Sequence, residues 1–314
     1  MNGFTVRPAT AADAPGIRAL HARVFGSEMS DAEWAWKFER NPDGRFGTVA
    51  ESGGRIVANY AGWGARFLVG GAPALVYFVG DVATDPSVRA LGVGRGAYRT
   101  TADAFYAAVA GRVPFCMGFP NDRALKISHR LVGSRTIRPI RRVFAELDDF
   151  GPPPPAAGSG DFVDESFDPL WEAAAQFLTH AAVRDRARVN WRFHARPGRY
   201  YRMVWLKEGG AQRGWAVLSV DGGDALVADF LGIDPEGRDL KPLFAAAAQE
   251  ARRMGARRLV FWETPGGPGR APIEALRGPR EEAGFSIVAR VLDEAAYRGV
   301  PENLHLVPSL YDLV

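Results

Sequence analysis

The sequence has no apolar run of the roughly 18 residues that a membrane-spanning helix needs. It has a single cysteine, Cys116 in VPFCMGF, so no internal disulfide can form. Its apolar setting suits a small buried hydrophobe better than a nucleophile. The five histidines are scattered, with no HExxH and no Cys/His spacing for zinc, and GxSxG is absent. A protein without a metal centre is expected. The opening MNGFTVRPATAAD lacks a basic stretch followed by an apolar core, so no secretory signal and a cytoplasmic location are expected. Excess charge is also missing: 39 Lys and Arg face 36 Asp and Glu, leaving a net +3. Arginine supplies most of the cations, the bias of GC-rich bacterial coding. Runs such as Arg138, Arg141 and Arg142 read as a solvated face. Neither nucleic acid nor membrane is an expected partner, and the oligomeric state is left open.

What is present points to two domains. The 314 residues, 47% hydrophobic and 24% charged, have the balance of a soluble globular protein. The clearest linker is GPPPPAAGSG at 151–160, stiff at its prolines and looser at its glycines. It sets expected domains at 1–150 and 161–314. The halves repeat each other. WKFERNP (36–42) and WRFHARP (191–197) share W-[KR]-F-x-x-x-P. A Gly-Gly turn follows each, Gly53-Gly54 and Gly209-Gly210, and then a strand, IVANYAGWGA or GWAVLSV. Later, VGDVATDP ends in Asp85-Pro86 and VADFLGIDP in Asp234-Pro235, with Asp81 and Asp229 in similar places. Four matches in one order suggest duplication of one fold.

In the first half, Thr10 with Asp13 and Ser30 with Glu33 predict two capped helices, the first facing inward through Ile17, Leu20 and Val24. Strands are expected near 46–51, 56–69 and 74–84, with a helix from 94 to 110 showing Tyr98, Thr101 and Phe105 on one face. A strand near 113–119, a helix near 121–132 and a strand near 140–148 complete the order. The fold class expected is α/β, with mixed sheets flanked by helices in each half.

The chemistry gathers at VATDPSVRALGVGRG, 82–96. A strand ends at Asp85-Pro86, and a helix then opens with Gly94, Arg95 and Gly96. Helix N-termini present unpaired amides and a partial positive charge, and glycines let a ligand approach the backbone. Arg89 and Arg95 add charge, so a diphosphate cradle is expected. A dinucleotide fingerprint fits poorly, because its acidic residue about 20 positions on is missing; a Walker loop lacks its G-K-[ST]. A turn that only packs a helix is the remaining alternative.

Arg89-Ala90-Leu91-Gly92-Val93-Gly94 has the form [QR]-x-x-G-x-[GA], and GFPNDRALKISHRLVG carries Asn121 and Ala124 as N-x-x-A. Together they resemble the GNAT superfamily of N-acetyltransferases, most closely over 76–134, and the paired halves resemble bacterial members with two such domains. The resemblance implies an acyltransferase that uses acetyl-CoA and a primary amine on a small molecule or peptide. It implies that the backbone of Val82, Ala83 and Thr84 holds the pantetheine arm and that strands splay after Thr84 to admit it. The amides of Leu91, Gly92, Val93, Gly94, Arg95 and Gly96 would take the diphosphate, and Asn121 would fix the arm near the thioester. The second half keeps only Gly237 and places Pro242 in the corresponding stretch, so it is expected to lack the coenzyme A loop.

Many relatives use a tyrosine after the asparagine to protonate the thiolate. Here that place falls on Ser128 or His129, and a surface histidine is the plain alternative. Asp81 is the carboxylate expected as base, against the alternative of a strand-end carboxylate bonded to nearby backbone. Glu51 is expected to be solvated, and Tyr77 and Tyr98 to sit in core or cleft wall. Trp34, Trp36 and Trp63 suit either an acceptor cleft or the core. Val314 is noted because some two-domain relatives place their C-terminus in the active site. A non-catalytic coenzyme A sensor and an aminoacyl-tRNA-dependent transferase on a similar double fold are the competing functions.

Overall fold

Alternating apolar residues mark out the strands of this chain. In the computed structural model, which describes residues 3–90, 94–161 and 163–311, the strands are β1 (Thr5–Pro8), β2 (Arg45–Ser52), β3 (Arg55–Val69), β4 (Ala72–Thr84), β5 (Phe115–Gly118), β6 (Arg135–Glu146), β7 (Ala157–Gly160), β8 (His180–Ala182), β9 (Arg202–Glu208), β10 (Ala211–Asp221), β11 (Asp224–Gly232), β12 (Arg258–Trp262) and β13 (Arg280–Val291). The helices that concern the site are α1 (Ala14–Phe25), α2 (Asp31–Trp34), α3 (Pro86–Ala90), α4 (Gly94–Val109), α5 (Asp122–Ile127), α6 (Asp168–Ala175), α7 (Arg186–Val189) and α8 (Leu240–Arg253).

The chain forms two compact units, the first from Met1–Arg66, Leu75–Thr136 and Ser286–Tyr297, the second from Phe67–Ala74, Ile137–Phe285 and Arg298–Val314. These are not the expected 1–150 and 161–314. The reason is an exchange of strands. Val288 to Val291 of β13 pair with Gly118 to Phe115 of β5, so a late segment completes the first unit's sheet. In return, Arg142 to Glu146 of β6 pair with Trp262 to Arg258 of β12 in the second unit. The segment 151–160 is also more than a linker. Its last four residues are β7, an edge strand on β9. Glycine is needed there because a Cβ at Gly158 or Gly160 would lie 2.5 or 2.8 Å from the Trp205 indole.

The first unit's sheet runs β1-β2-β3-β4-β5-β13. β2 pairs antiparallel with β1 and with β3, and β4 runs parallel to β5. β1 and α3, four and five residues long, are too short to show a period in sequence. Successive residues of β2 face opposite ways: Val49 packs with Ile17, Leu20 and Trp34 from α1 and α2, and Ala50 with Ala97 of α4. On α4's face, Phe105, Tyr106 and Val109 pack on Tyr60, Tyr77 and Cys116. Burial pushes the Cys116 thiol up to about 12, as expected of a hydrophobe rather than a nucleophile.

The second unit's sheet runs β6-β12-β11-β10-β9-β7. Its core joins Leu170 and Ala174 of α6 to Trp215, Val217, Ala228 and Leu231 of β10 and β11. The repeated tryptophan motifs occupy equivalent structures. Ser30 accepts from the Glu33 amide at 3.2 Å to start α2, which widens into a π-type turn over Ala35–Glu39. Asp185 accepts from the Arg188 amide at 2.9 Å to start α7, which widens over Asn190–His194. A wide turn at the same motif in both halves supports duplication.

Candidate active site

Two features of β4 make the first unit's site. Pairing with β5 covers only Tyr77, Phe78 and Val79, against Cys116, Met117 and Gly118. The strands therefore part after Val79, earlier than the expected Thr84. Beyond that point β4 also bulges. Val79 and Val82 both pack on the α4 side although they are three apart, where simple alternation would put them on opposite faces. Asp81 takes up the extra residue at φ +50°, alone among the described non-glycine residues in having positive φ.

The bulge turns Asp81 toward α1 and α2. Asn59 donates its Nδ2 to the Asp81 carbonyl at 3.1 Å, which fixes the bulge. The Asp81 carboxylate receives Lys37 Nζ at 2.5 Å on Oδ2, and His21 Nε2 stands 3.8 Å from Oδ1. His21 Nδ1 lies 3.2 Å from the Ser27 carbonyl, which can only accept, so Nδ1 carries the proton and a neutral ring leaves Nε2 bare toward Asp81. A small cavity opens here, lined among others by His21, Trp34, Arg45, Asn59 and Asp81. The Arg45 guanidinium lies over Trp34 and Phe38, 4.9 and 4.7 Å from the ring centres.

The sequence singles out Asp81 and Trp34 but not His21, Lys37, Arg45 or Asn59. Lys37 does carry a signal, as the basic position of the repeated tryptophan motif. Of the other expected tryptophans, Trp36 and Trp63 are buried, and Trp63 stacks on Phe78 at 4.6 Å. Tyr77 and Tyr98 belong to the core under α4, where burial pushes Tyr98 up to about 12. Glu51 is not simply solvated: it accepts from Arg7 at 3.0 Å.

Val82, Ala83 and Thr84 form the end of β4, past the parting from β5. Asp85 anchors the turn from β4 into α3. Its carboxylate takes Arg23 at 3.0 Å and Arg55 at 3.2 Å and accepts from the Ser87 amide at 2.9 Å to begin α3. Burial opposes its charge, but the Ser87 hydrogen bonds and Arg23 outweigh burial and hold it below the usual carboxylate range. Arg89 ends up in α3, and Gly94, Arg95 and Gly96 form the first turn of α4. Leu91, Gly92 and Val93 lie outside the described residues, as does Val314. At Gly96 a Cβ would meet only the edge of Phe4, at 4.0 Å. Packing therefore does not require glycine there.

Asn121 is exposed and caps α5, accepting from the Ala124 amide at 3.0 Å. The N-x-x-A spacing is thus a helix cap. Ser128 and His129 come next in a wide turn, Ser128 bonded to Ser134 and exposed His129 Nε2 to Thr136 Oγ1 at 3.0 Å. Neither hydrogen bond reaches the Asp81 group. No group of three or more metal-ligating side chains occurs among the described residues.

The second unit repeats the opening and fills it. β11 pairs in parallel with β12 over Asp224, Ala225 and Leu226 only. Past that point Asp229, the counterpart of Asp81, takes Arg184 at 2.9 Å and the Ser309 hydroxyl at 2.7 Å. Thr264, just beyond β12, accepts from the Leu306 amide at 2.9 Å, and Gly266 donates to the Leu304 carbonyl at 3.2 Å. Residues 304–310 therefore lie against the ends of both strands. Where the first unit leads into its glycine loop, Asp239 accepts from the amides of Ile233 and Asp234 at 2.7 and 2.9 Å.

Comparison with known proteins shows what this chain is similar to. An acetyltransferase (GNAT) domain model matches residues 5–124. No curated protein matches the sequence. Among solved structures, a probable N-acyltransferase from Enterococcus faecalis is 12% identical, with 95% of this chain and 74% of that one covered at a TM-score of 0.71. A GCN5-related N-acetyltransferase from Kribbella flavida is 18% identical, with 93% and 72% covered at 0.66. A tandem GNAT protein from the clavulanic acid biosynthesis pathway is 14% identical, with 92% and 99% covered at 0.55. Residues 5–124 thus match the acetyltransferase (GNAT) domain model, and the chain shares the fold of these solved structures, a tandem GNAT protein among them.

Proposed function

We propose that this protein is an N-acyltransferase that moves the acetyl group of acetyl-CoA to a primary amine on a small molecule or peptide. The observation that carries the reading is the parting of β4 from β5 beside the Asp81 bulge. It leaves an extended backbone edge leading to a carboxylate, which suits an arm that must end in a reactive group.

When bound, the thioester supplies an acyl carbon open to attack by an amine. The chain supplies the rest. The backbone of Val82 to Thr84 would pair with the pantetheine arm as an added strand would. The amides of Leu91 to Gly96 at the start of α4, with Arg89 and Arg95, would hold the diphosphate. Asn121, capping α5, would orient the arm. An acceptor amine arrives protonated, and removing that proton at neutral pH costs roughly 4–5 kcal/mol for a lysine-like amine. Asp81 would accept it on Oδ1, the oxygen that Lys37 leaves open, directly or through water. His21 Nε2, facing the same oxygen, is a second acceptor. His129 would return a proton to the departing thiolate, and Ser128, held by Ser134, would serve only as a relay. The second unit, with residues 304–310 against its own opening, would support the first without holding cofactor.

The Lys37–Asp81 pair favours a second reading, a protein that binds coenzyme A without turnover, because the lysine competes with an incoming ammonium. Thiol release measured with an amine panel decides. Catalysis predicts acceptor-dependent release that Asp81→Asn lowers about 100-fold with coenzyme A affinity kept. Tight binding without release on any amine supports the sensor.

A further inference from the structure

A second cavity in the first unit, about 380 Å³, has the size of a small-ligand site and shares no lining residue with the one beside Asp81. Gly16 and Ala19 of α1 and Ile56 of β3 give it a short apolar floor. Its charged lining is three guanidinium groups, Arg7, Arg23 and Arg55, against the carboxylates of Asp13 and Glu51. Asp13 is 8% exposed and takes Arg7 on both oxygens at 2.7 Å, and Arg7 also reaches Glu51 at 3.0 Å. Arg23 and Arg55 are 37% and 61% exposed, and their one carboxylate partner among the described residues is Asp85, itself 4% exposed. The cavity therefore offers a ligand guanidinium groups more than carboxylates.

Arg23 Nε and Arg55 Nη2 donate to a single atom, Asp85 Oδ2, at 3.0 and 3.2 Å, and Arg23 Nη2 donates to the Ile56 carbonyl at 3.3 Å. Arg23 Nη1 and Arg55 Nε and Nη1 have no partner among the described residues. Two heads that share one oxygen stand close enough to share a further anion. Three free donors outnumber the two oxygens of a carboxylate and match the three of a phosphate monoester, an anion that guanidinium suits. The volume exceeds what a phosphate fills, and the floor suits a small apolar body on its ester oxygen. We infer that this cavity binds a phosphate monoester of a small apolar molecule through Arg23 and Arg55, and that its occupant loosens the coenzyme A loop. Asp85 links the two. Its Oδ1 accepts from the Ser87 amide and hydroxyl at 2.9 and 2.7 Å to begin α3, while Oδ2 is held by the two arginines. A phosphate that draws those arginines away takes the anchor from the turn that leads into the glycine loop. The coupling rests on the proposed use of that loop; the phosphate site does not.

The test is a calorimetric titration of the full chain with phenyl phosphate, with phenol and inorganic phosphate as controls. Phenyl phosphate should fill one saturable site, and phenol should give no heat. Equal affinity for inorganic phosphate would make the ligand free phosphate and overturn the monoester. Arg55→Gln and Arg23→Gln should each weaken binding about 10- to 100-fold, the range of a hydrogen bond to a charged group. Arg55→Lys, which keeps charge with fewer fixed donors, should recover part of it. The other place a phosphate could bind is the glycine loop, so Gly92→Glu should leave the affinity unchanged. No saturable binding, binding that survives both arginine substitutions, or binding lost in Gly92→Glu would overturn the site. Saturating phenyl phosphate should raise the coenzyme A Kd at least about 5-fold in the native protein and not in Arg55→Gln. An unchanged Kd would overturn the coupling. If coenzyme A itself gives no heat, the coupling falls with the acyltransferase reading, while phenyl phosphate binding lost in Arg55→Gln and kept in Gly92→Glu still supports the site.

Discussion

Asp81 and Asp229 occupy the same place in two copies of one fold and live in opposite surroundings. Asp81 sits on a strained bulge at the edge of a cavity, mostly covered, with Lys37 on one oxygen. Asp229 is buried and spoken for, by Arg184 and by Ser309 from the C-terminal segment. Both parallel pairings are equally short, three residues each. What differs is what lies in the gap. In the second copy the chain's own residues 304–310 lie there, and Asp239 takes the amides at the strand's end. Buried unmatched atoms occur in both copies, at Arg45 and Asn59 in the first and at Arg184 Nη2 and Asp239 Oδ1 in the second, so the contrast rests on the segment 304–310, which lies at the second opening.

Exchanging the surroundings' effects is the direct way to break this contrast. The largest change is expected for Asp229→Ala. It strands the buried Arg184, at a cost of about 3–5 kcal/mol in denaturant unfolding. Asp81→Ala, whose carboxylate is 16% exposed against 6% for Asp229, should cost less stability; equal losses would contradict the division of roles. Next comes Asp81→Asn, which keeps a residue tolerant of positive φ and should lower kcat about 100-fold, or about 2.7 kcal/mol in barrier. Asp229→Asn, if folded, should leave kcat within a few-fold. Ser309→Ala ranks third, with a loss of about 1.5 kcal/mol in stability from one hydrogen bond to a carboxylate.

The smallest effect is in pH dependence. Arg7 holds Asp13 of the first copy well below the usual carboxylate range, through two 2.7 Å hydrogen bonds. A depressed carboxylate lends stability above its unfolded pKa of about 3.9 and loses it as pH falls through the folded value. Burial raises Asp239 of the second copy despite the amides it accepts. There the native state holds its proton longer, so stability falls as pH rises from about 3.9 through the raised value. Acid titrations of stability should therefore flatten in opposite directions for Asp13→Asn and Asp239→Asn. Flattening in the same direction would contradict the assignment.

Local patterns reveal much of this fold. The capping boxes, the long strands β2 to β4 and helix α4 follow from spacing alone, because each is decided by neighbours in sequence. The duplication was legible in the tryptophan motifs and the paired Asp-Pro ends. The strand exchange was not, because β13 meets β5 far away in the chain and no local pattern names a partner. The site was half legible. Asp81 stood out by its place before Asp85-Pro86, and Lys37 could have been drawn from the repeat. His21 reads as an ordinary residue of an amphipathic helix, and Arg45 and Asn59 as strand residues; only their convergence on the bulge gives them meaning. Asn121, expected on family grounds, carries a structural duty as helix cap that the same spacing explains.

The most direct test of the central claim is a calorimetric titration of the intact protein with coenzyme A, repeated on Gly92→Glu and on Lys241→Glu at the start of α8. The account predicts one site per chain, lost in Gly92→Glu and unchanged in Lys241→Glu. No heat with the native protein, or binding that Lys241→Glu abolishes and Gly92→Glu leaves intact, would contradict it.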